Sequence, residues 1–300
     1  MSTLFQIALI AALCGCFVGA AKLPNIVFVL VDDWGFADVG FRNPAISSPN
    51  FDDLAKTGLI LNRHYVFRYC SPSRASFLTG RWPHHAHQWN IPSFMEMAGT
   101  NLNMTMLPAK LKTANYATHI VGKWHQGFFD PRYIPINRGF DTSSGFLGGG
   151  EDHFTQYIQC SIDYWKNDAP DPRNGTYDAY NYRDDLAKII ENQDTTNPLF
   201  LYLPLHNVHD PFEAPDEWLN IYPVNSTCEF RRTYQAMKKD LSKENPEMVQ
   251  KLLERYNEFS KEPRDMQDQG YHSEAALPSD SNACKFMADN GGYWRPWKNL

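Results

Sequence analysis

Tyr69-Cys70-Ser71-Pro72-Ser73-Arg74-Ala75-Ser76-Phe77-Leu78-Thr79-Gly80-Arg81 is the stretch to which the rest of the chain refers. Ser71 suits a helix N-cap, and Pro72 suits the first helical position, where a missing N–H costs nothing. Ala75, Phe77 and Leu78 continue a short helix, and Gly80 is its expected stop. Cys70 then falls just before a helix N-terminus, whose free N–H groups and positive dipole end favour an anion. Arg74 follows about one turn later and can fork onto the same anion. Alone, the cysteine reads as a buried residue at the start of an ordinary helix. With the arginine and the helix end beside it, the group describes a site for a small oxyanion.

The pattern Cys-x-Pro-Ser-Arg followed by Thr-Gly, carried by Cys70, Pro72, Ser73, Arg74, Thr79 and Gly80, resembles the signature of the sulfatase family. The resemblance implies conversion of Cys70 to formylglycine by the formylglycine-generating enzyme of the endoplasmic reticulum, which reads the Cys-x-Pro-x-Arg core. It implies that the hydrated aldehyde is the nucleophile: one hydroxyl attacks sulfur, and the other later loses its proton and expels sulfate. A plain cysteine or serine could be sulfated but could not release the product this way. The fold implied is α/β and alkaline-phosphatase-like, with a mainly parallel sheet flanked by helices.

Upstream, Asn25-Ile26-Val27-Phe28-Val29-Leu30-Val31 is a continuous apolar run, the pattern of a central parallel strand buried on both faces. It ends in Asp32-Asp33-Trp34-Gly35, and sites in open α/β sheets lie beyond the carboxyl ends of strands. On the residues alone, the two carboxylates read equally as a solvated turn with an Asp cap or as oxygen ligands for Ca²⁺ or Mg²⁺. The segment resembles the sulfatase opening, which implies that Asp32 and Asp33, together with residue 70, bind the divalent cation, most often Ca²⁺. Residues 48–58 read as a capped helix ending at Gly58, and residues 59–67 as including the strand that delivers Cys70.

Downstream, residues 106–116 carry a helix pattern, and Ala117 to Val121 a strand leading into Gly122-Lys123-Trp124-His125. Lys123 reads as a solvated loop charge, or His125 as a packed core residue, unless they belong to a site. The segment resembles the sulfatase Gly-Lys-x-His motif, which implies that Lys123 contacts the sulfate and His125 assists the formylglycine hydroxyl. Residues 137–141 resemble a structural Arg-Gly-Phe-Asp loop of the family. Residues 177–193 suit a helix. Residues 197–204 form another buried strand, followed by His206-Asn207-Val208-His209-Asp210-Pro211. The family's His-x-Pro segment matches His209, implying that it protonates the leaving oxygen or holds the sulfate; His206 is the weaker candidate and reads as packing. The cluster His84, His85 and His87 is too closely spaced to converge on a transition metal and is read as loop.

A formal net charge of -6 gives no electrostatic case for nucleic acid. Residues 1–21 read as a cleaved secretory signal, rather than a membrane anchor, because the apolar run is short and Lys22-Leu23-Pro24-Asn25 follows at once. No later segment is apolar for long enough to span a bilayer. Sequons at Asn103, Asn174 and Asn225 agree with the secretory route, lysosomal or extracellular. Cys160, Cys228 and Cys284 allow at most one disulfide among themselves.

Residues 22–237 resemble the N-terminal part of a sulfatase catalytic domain, in the manner of the arylsulfatase B group. Residues 238–300 resemble the family's C-terminal tail, with a helix expected over residues 240–256. Between these, the resemblance implies a second half of the sheet, with an Asp-Asn-Gly strand end that completes the metal site and a further lysine; this chain lacks a recognisable counterpart. Asp289-Asn290-Gly291 has the right letters, but too short an apolar run precedes it. The expected function is hydrolysis of sulfate esters, on sulfated glycans or small aryl sulfates. The alternative is a catalytically impaired, sulfatase-like secreted protein without a complete metal site. A related phosphodiesterase is disfavoured, because such enzymes present Thr or Ser where Cys70 stands.

Overall fold

The computed structural model describes residues 23–44, 46–86 and 98–215, together with 285, 288, 289 and 291. The expected signal segment, His87, Asn225, Cys228, Cys284, the helix over residues 240–256 and Asn290 lie outside the described residues.

In chain order the elements are β1 (Ile26–Leu30), α1 (Pro49–Thr57), α2 (Cys70–Thr79), α3 (Leu107–Lys112) and β2 (Ala117–Val121). Two 3-10 turns follow (Pro131–Tyr133 and Pro135–Arg138). Then come β3 (Thr142–Gly145), β4 (Tyr157–Ile158), β5 (Ser161–Ile162), β6 (Trp165–Lys166), β7 (Ala169–Pro170), α4 (Asp178–Glu191) and β8 (Leu199–Pro204). Six strands form one sheet in the order β1-β8-β2-β3-β6-β7. The pairs β1–β8, β8–β2 and β2–β3 are parallel, and β6 and β7 add an antiparallel edge. β4 and β5 make a separate ribbon.

β8 reads Leu-Phe-Leu-Tyr-Leu-Pro and is buried along nearly its whole length, as a strand flanked on both sides must be. Its register sets Ile26 opposite Phe200 on one side and Ala117 opposite Leu199 on the other. One face of the sheet packs Phe200, Tyr202 and Ile120 against Leu78 of α2, Trp124 and Phe140. Phe77 of α2 stacks on Phe28 of β1 with ring centroids 3.9 Å apart. The other face packs Val121 with Tyr164 and with Tyr182 of α4. Helices therefore lie on both faces of a mainly parallel sheet, as expected.

Two expectations need correction. β1 is an edge strand, not a central one: among the described strands only β8 pairs with it. Its residues alternate in burial, with Val27 56% and Val29 40% exposed, because no described element packs on their face. Residues 59–67 form no strand. They run as irregular chain with Leu59, Leu61, Tyr65 and Val66 exposed, since no described strand lies beside them.

Candidate active site

Cys70 is the first residue of α2, not the residue before it. The cap position belongs to extended Tyr69, and the expected cap Ser71 is buried within the first turn. The Ser73 hydroxyl turns back on the incoming chain, 2.7 Å from the carbonyls of Phe67 and Tyr69. Gly80 closes the helix in the left-handed conformation, as expected.

Asp32 leaves the end of β1 and is buried. Its Oδ2 accepts a hydrogen bond from Lys123 Nζ and lies 3.4 Å from Arg74 Nη2. Burial alone would raise its pKa; the nearby Arg74 and Lys123 charges override that and hold the carboxyl well below the usual range. Asp33 moves the other way: burial and the Asp32 charge push its carboxyl up. Arg74 Nη1 donates to the Lys123 carbonyl at 3.0 Å. Arg74 is thus turned to Asp32 and to the β2 exit.

The loops beyond the sheet are laced together by their backbones. Asp32 N–H donates to Asn207 O at 3.2 Å, and Val208 N–H donates back to Asp32 O at 2.9 Å. Lys123 N–H donates to Pro204 O at 2.8 Å, and His125 N–H to Leu147 O at 3.1 Å. Gln126 Nε2 donates to Ser71 O at 3.0 Å, fixing the residue 123–126 segment to α2.

Donor atoms of Asp32, Cys70 and His209 all lie within 4.8 Å of one another. His209 Nε2 is 3.7 Å from Asp33 Oδ2. His125 is buried on the adjoining segment and packs on Gly149, where an added Cβ would sit 2.8 Å from its Cε1 and Nε2. Asp32, Asp33, Cys70, Arg74, Lys123 and His209 therefore meet at one end of the sheet, with His125 next to them. Asn103 and Asn174 stand exposed elsewhere. Asp289 pairs with Lys285 at 2.6 Å on an exposed helical turn. Cys160 is disulfide-bonded, with its partner outside the described residues, and Cys70 is a free thiol. Burial pushes that thiol's pKa up, against the opposing pull of Lys123.

The oxygen donors Asp32 and Asp33 suit one side of a hard-cation shell. Burial is the first cause of the raised Asp33 carboxyl, and the Asp32 charge adds a repulsion that an ion between the two carboxylates would relieve. Sequence reasoning did not find a buried group behind this site, formed by His153, Asp178 and His206. Of the three, the sequence draws attention only to His206, as the weaker candidate beside His209 that reads as packing. No local pattern joins three residues so far apart, and each alone reads as a loop histidine or a helix-start acid.

No described helix is long and apolar enough to cross a membrane. The sulfatase family model matches residues 24–259. Arylsulfatase J of Mus musculus is 39% identical over 222 residues, covering 71% of this chain and 37% of that protein. The crystal structure of Ps i-CgsB in complex with k-i-k-neocarrahexaose is 29% identical with a TM-score of 0.57, covering 67% of this chain and 49% of that one. BT4656, solved with its substrate D-glucosamine-2-N,6-O-disulfate, is 25% identical with a TM-score of 0.56, covering 67% of this chain and 39% of that one. The chain thus spans less than half the length of each of these relatives.

Proposed function

This chain belongs to the sulfatase family, and from that membership we propose that it hydrolyses sulfate esters with a formylglycine made from Cys70 and a bound divalent cation. The observation that carries the reading is the meeting of Cys70, Asp32 and His209 donor atoms within 4.8 Å, with Lys123 and Arg74 held against Asp32. The raised thiol pKa leaves unmodified Cys70 protonated near neutrality and a weak nucleophile. The hydrated formylglycine supplies the nucleophile on sulfur. Asp32, Asp33 and residue 70 would hold the cation, Ca²⁺ by preference with Mg²⁺ as the second choice, and it supplies charge neutralisation at the sulfate oxygens.

The remaining chemistry falls to this chain's own side chains. Lys123 and Arg74 are buried, so their positive charges act in a low-dielectric site and are already oriented before the sulfate enters. His125 takes the proton of the residue 70 hydroxyl. His209, 18% exposed and 3.7 Å from Asp33, protonates the leaving oxygen of the ester. The substrate class is a sulfated sugar or a small aryl sulfate; the sulfated glucosamine bound by BT4656 supports the sugar class. The compartment is the secretory pathway, lysosomal or extracellular, with glycans on Asn103, Asn174 and Asn225. Both Asn103 and Asn174 are exposed enough to be glycosylated. The modifying partner is the formylglycine-generating enzyme.

The test is expression in a secretory cell that carries the modifying enzyme. Mass spectrometry of the peptide containing residue 70 should show the aldehyde, and the purified chain should release sulfate from an aryl sulfate. Cys70→Ala should abolish that release. An unmodified thiol, or sulfate release that survives Cys70→Ala, would overturn the reading.

A further inference from the structure

Behind the site, Asp178 stands in the first turn of α4, where the helix dipole favours a carboxylate. Its Oδ2 receives His153 Nδ1 at 2.8 Å and His206 Nδ1 at 2.9 Å. The two imidazoles stack with centroids 4.1 Å apart, and all three residues are buried. His153 Nε2 points the other way, 3.2 Å from the backbone carbonyl of His209. Two further bonds hold the same neighbourhood: Asp178 N–H donates to His153 O at 2.9 Å, and His209 N–H to His206 O at 3.0 Å.

We propose that His153, Asp178 and His206 form a buried hydrogen-bonded clamp that positions His209 by its backbone, with His153 carrying a proton on both nitrogens and His206 on Nδ1 alone. The proton assignment follows from the partners. His153 faces a carboxylate on one side and a carbonyl on the other; both only accept, so both nitrogens must donate. His206 faces the same carboxylate through Nδ1, while its Nε2 is buried with no hydrogen-bond partner. The three residues then sum to zero charge, one cation against one anion, which is what a site shut off from water requires. The titration tendencies agree. Burial depresses both histidines, but the Asp178 bond and charge outweigh it at His153 and lift its pKa, whereas His206 is driven down to about 4.

The clamp grips the peptide of His209 through His153, and the His206 ring lies beside the His209 ring, centroids 5.5 Å apart. The ring reaches toward Asp33 and is partly exposed, touching Asp210 through Nδ1. Its position is set by the His206 ring beside it and by the loop, which is held by His153 on one side and by Asp32 through residues 207 and 208 on the other. His153 is a positioning residue that touches no reacting atom. The inference rests on His209 acting in the sulfatase reaction, but its geometry can be read without turnover.

Two measurements test it on the full chain. In protein labelled with ¹⁵N-histidine, at neutral pH, His153 should show two protonated ring nitrogens and His206 one, with zinc below 0.1 equivalent by elemental analysis. A singly protonated His153, or one equivalent of zinc that disappears in Asp178→Asn, would overturn the clamp, because the trio would then be a neutral network or a metal site. In the turnover assay, His153→Asn keeps a donor toward Asp178 but loses the His209 carbonyl, whereas His153→Gln keeps a donor toward that carbonyl. His153→Asn should lower kcat about 10- to 100-fold with KM little changed, the range expected when a proton-transfer group is displaced by about 1 Å. His153→Gln should lose less. Equal losses, or a loss in KM alone, would also overturn it. If the wild-type chain turns nothing over, the sulfatase reading has failed, and the nitrogen spectrum still decides the clamp.

Discussion

Asp163 sits in the strap of chain that supports His125. Its carboxylate accepts hydrogen bonds from Leu147 N–H at 3.1 Å and Gly148 N–H at 2.7 Å, and Leu147 in turn receives His125 N–H. Burial raises the Asp163 pKa and the two backbone bonds pull it back only partly, leaving it at about 6. The unfolded chain would titrate this group near 3.9. Because the folded value is the higher one, the folded chain binds more protons in between. The contribution of this group to stability is therefore complete below about pH 4 and is lost as pH rises through about 6. Two units correspond to roughly 3 kcal/mol. In urea titrations at steps from pH 4 to pH 7, the wild type should lose stability relative to Asp163→Asn by an amount of that order. Parallel curves for the two proteins would show that Asp163 does not titrate in this window.

The helices and strands differ in how openly the sequence announced them. α2 was legible because its signals are local: a proline, an apolar stripe and a terminal glycine lie within one dozen residues. Its start was misjudged because Ser71 and Ser73 compete for the same turn, and only the incoming chain decides which hydroxyl faces a backbone group. β1 was legible as a strand but not as an edge, since an apolar run says nothing about how many neighbours it finds. Residues 59–67 failed for the same reason: their composition favours a strand, yet a strand exists only against a partner. The exposed Val27 and Val29 make a concrete expectation. An apolar edge strand is a template for self-association, and Val29→Lys should raise the concentration at which light scattering begins. A surface exchange of this kind should alter stability by no more than about 0.5 kcal/mol. A large drop in melting temperature would instead show that Val29 is covered.

At the scale of the molecule, the candidate site was legible wherever each residue sits on its own motif: Asp32 and Asp33 after one strand, Cys70 at a helix start, Lys123 after a second strand, His209 after a third. What was not legible is how they neutralise one another. That Arg74 is taken up by Asp32 and the Lys123 carbonyl depends on three segments meeting, and no spacing along the chain encodes it. The buried trio behind His209 was hidden for the same reason.

The strand order also sets a clock. β8 is the last of the described strands to be synthesised, yet it lies between β1 and β2. Until it arrives, β1 has no described neighbour, and His209, which follows β8, is not yet there to stand beside Cys70. Afterwards Cys70 is only partly accessible, with Asp32 and His209 donors close around it. At about 5–20 residues per second, the ribosome needs on the order of ten seconds to travel from Cys70 to β8. Any enzyme that must reach the Cys70 side chain has that interval in which to act. A chain arrested before Leu199 during translation into microsomes should therefore have its cysteine oxidised to the aldehyde. Finished, folded protein still carrying the thiol should resist the same enzyme when it is added later. Rapid conversion of the folded protein would mean that strand insertion closes nothing.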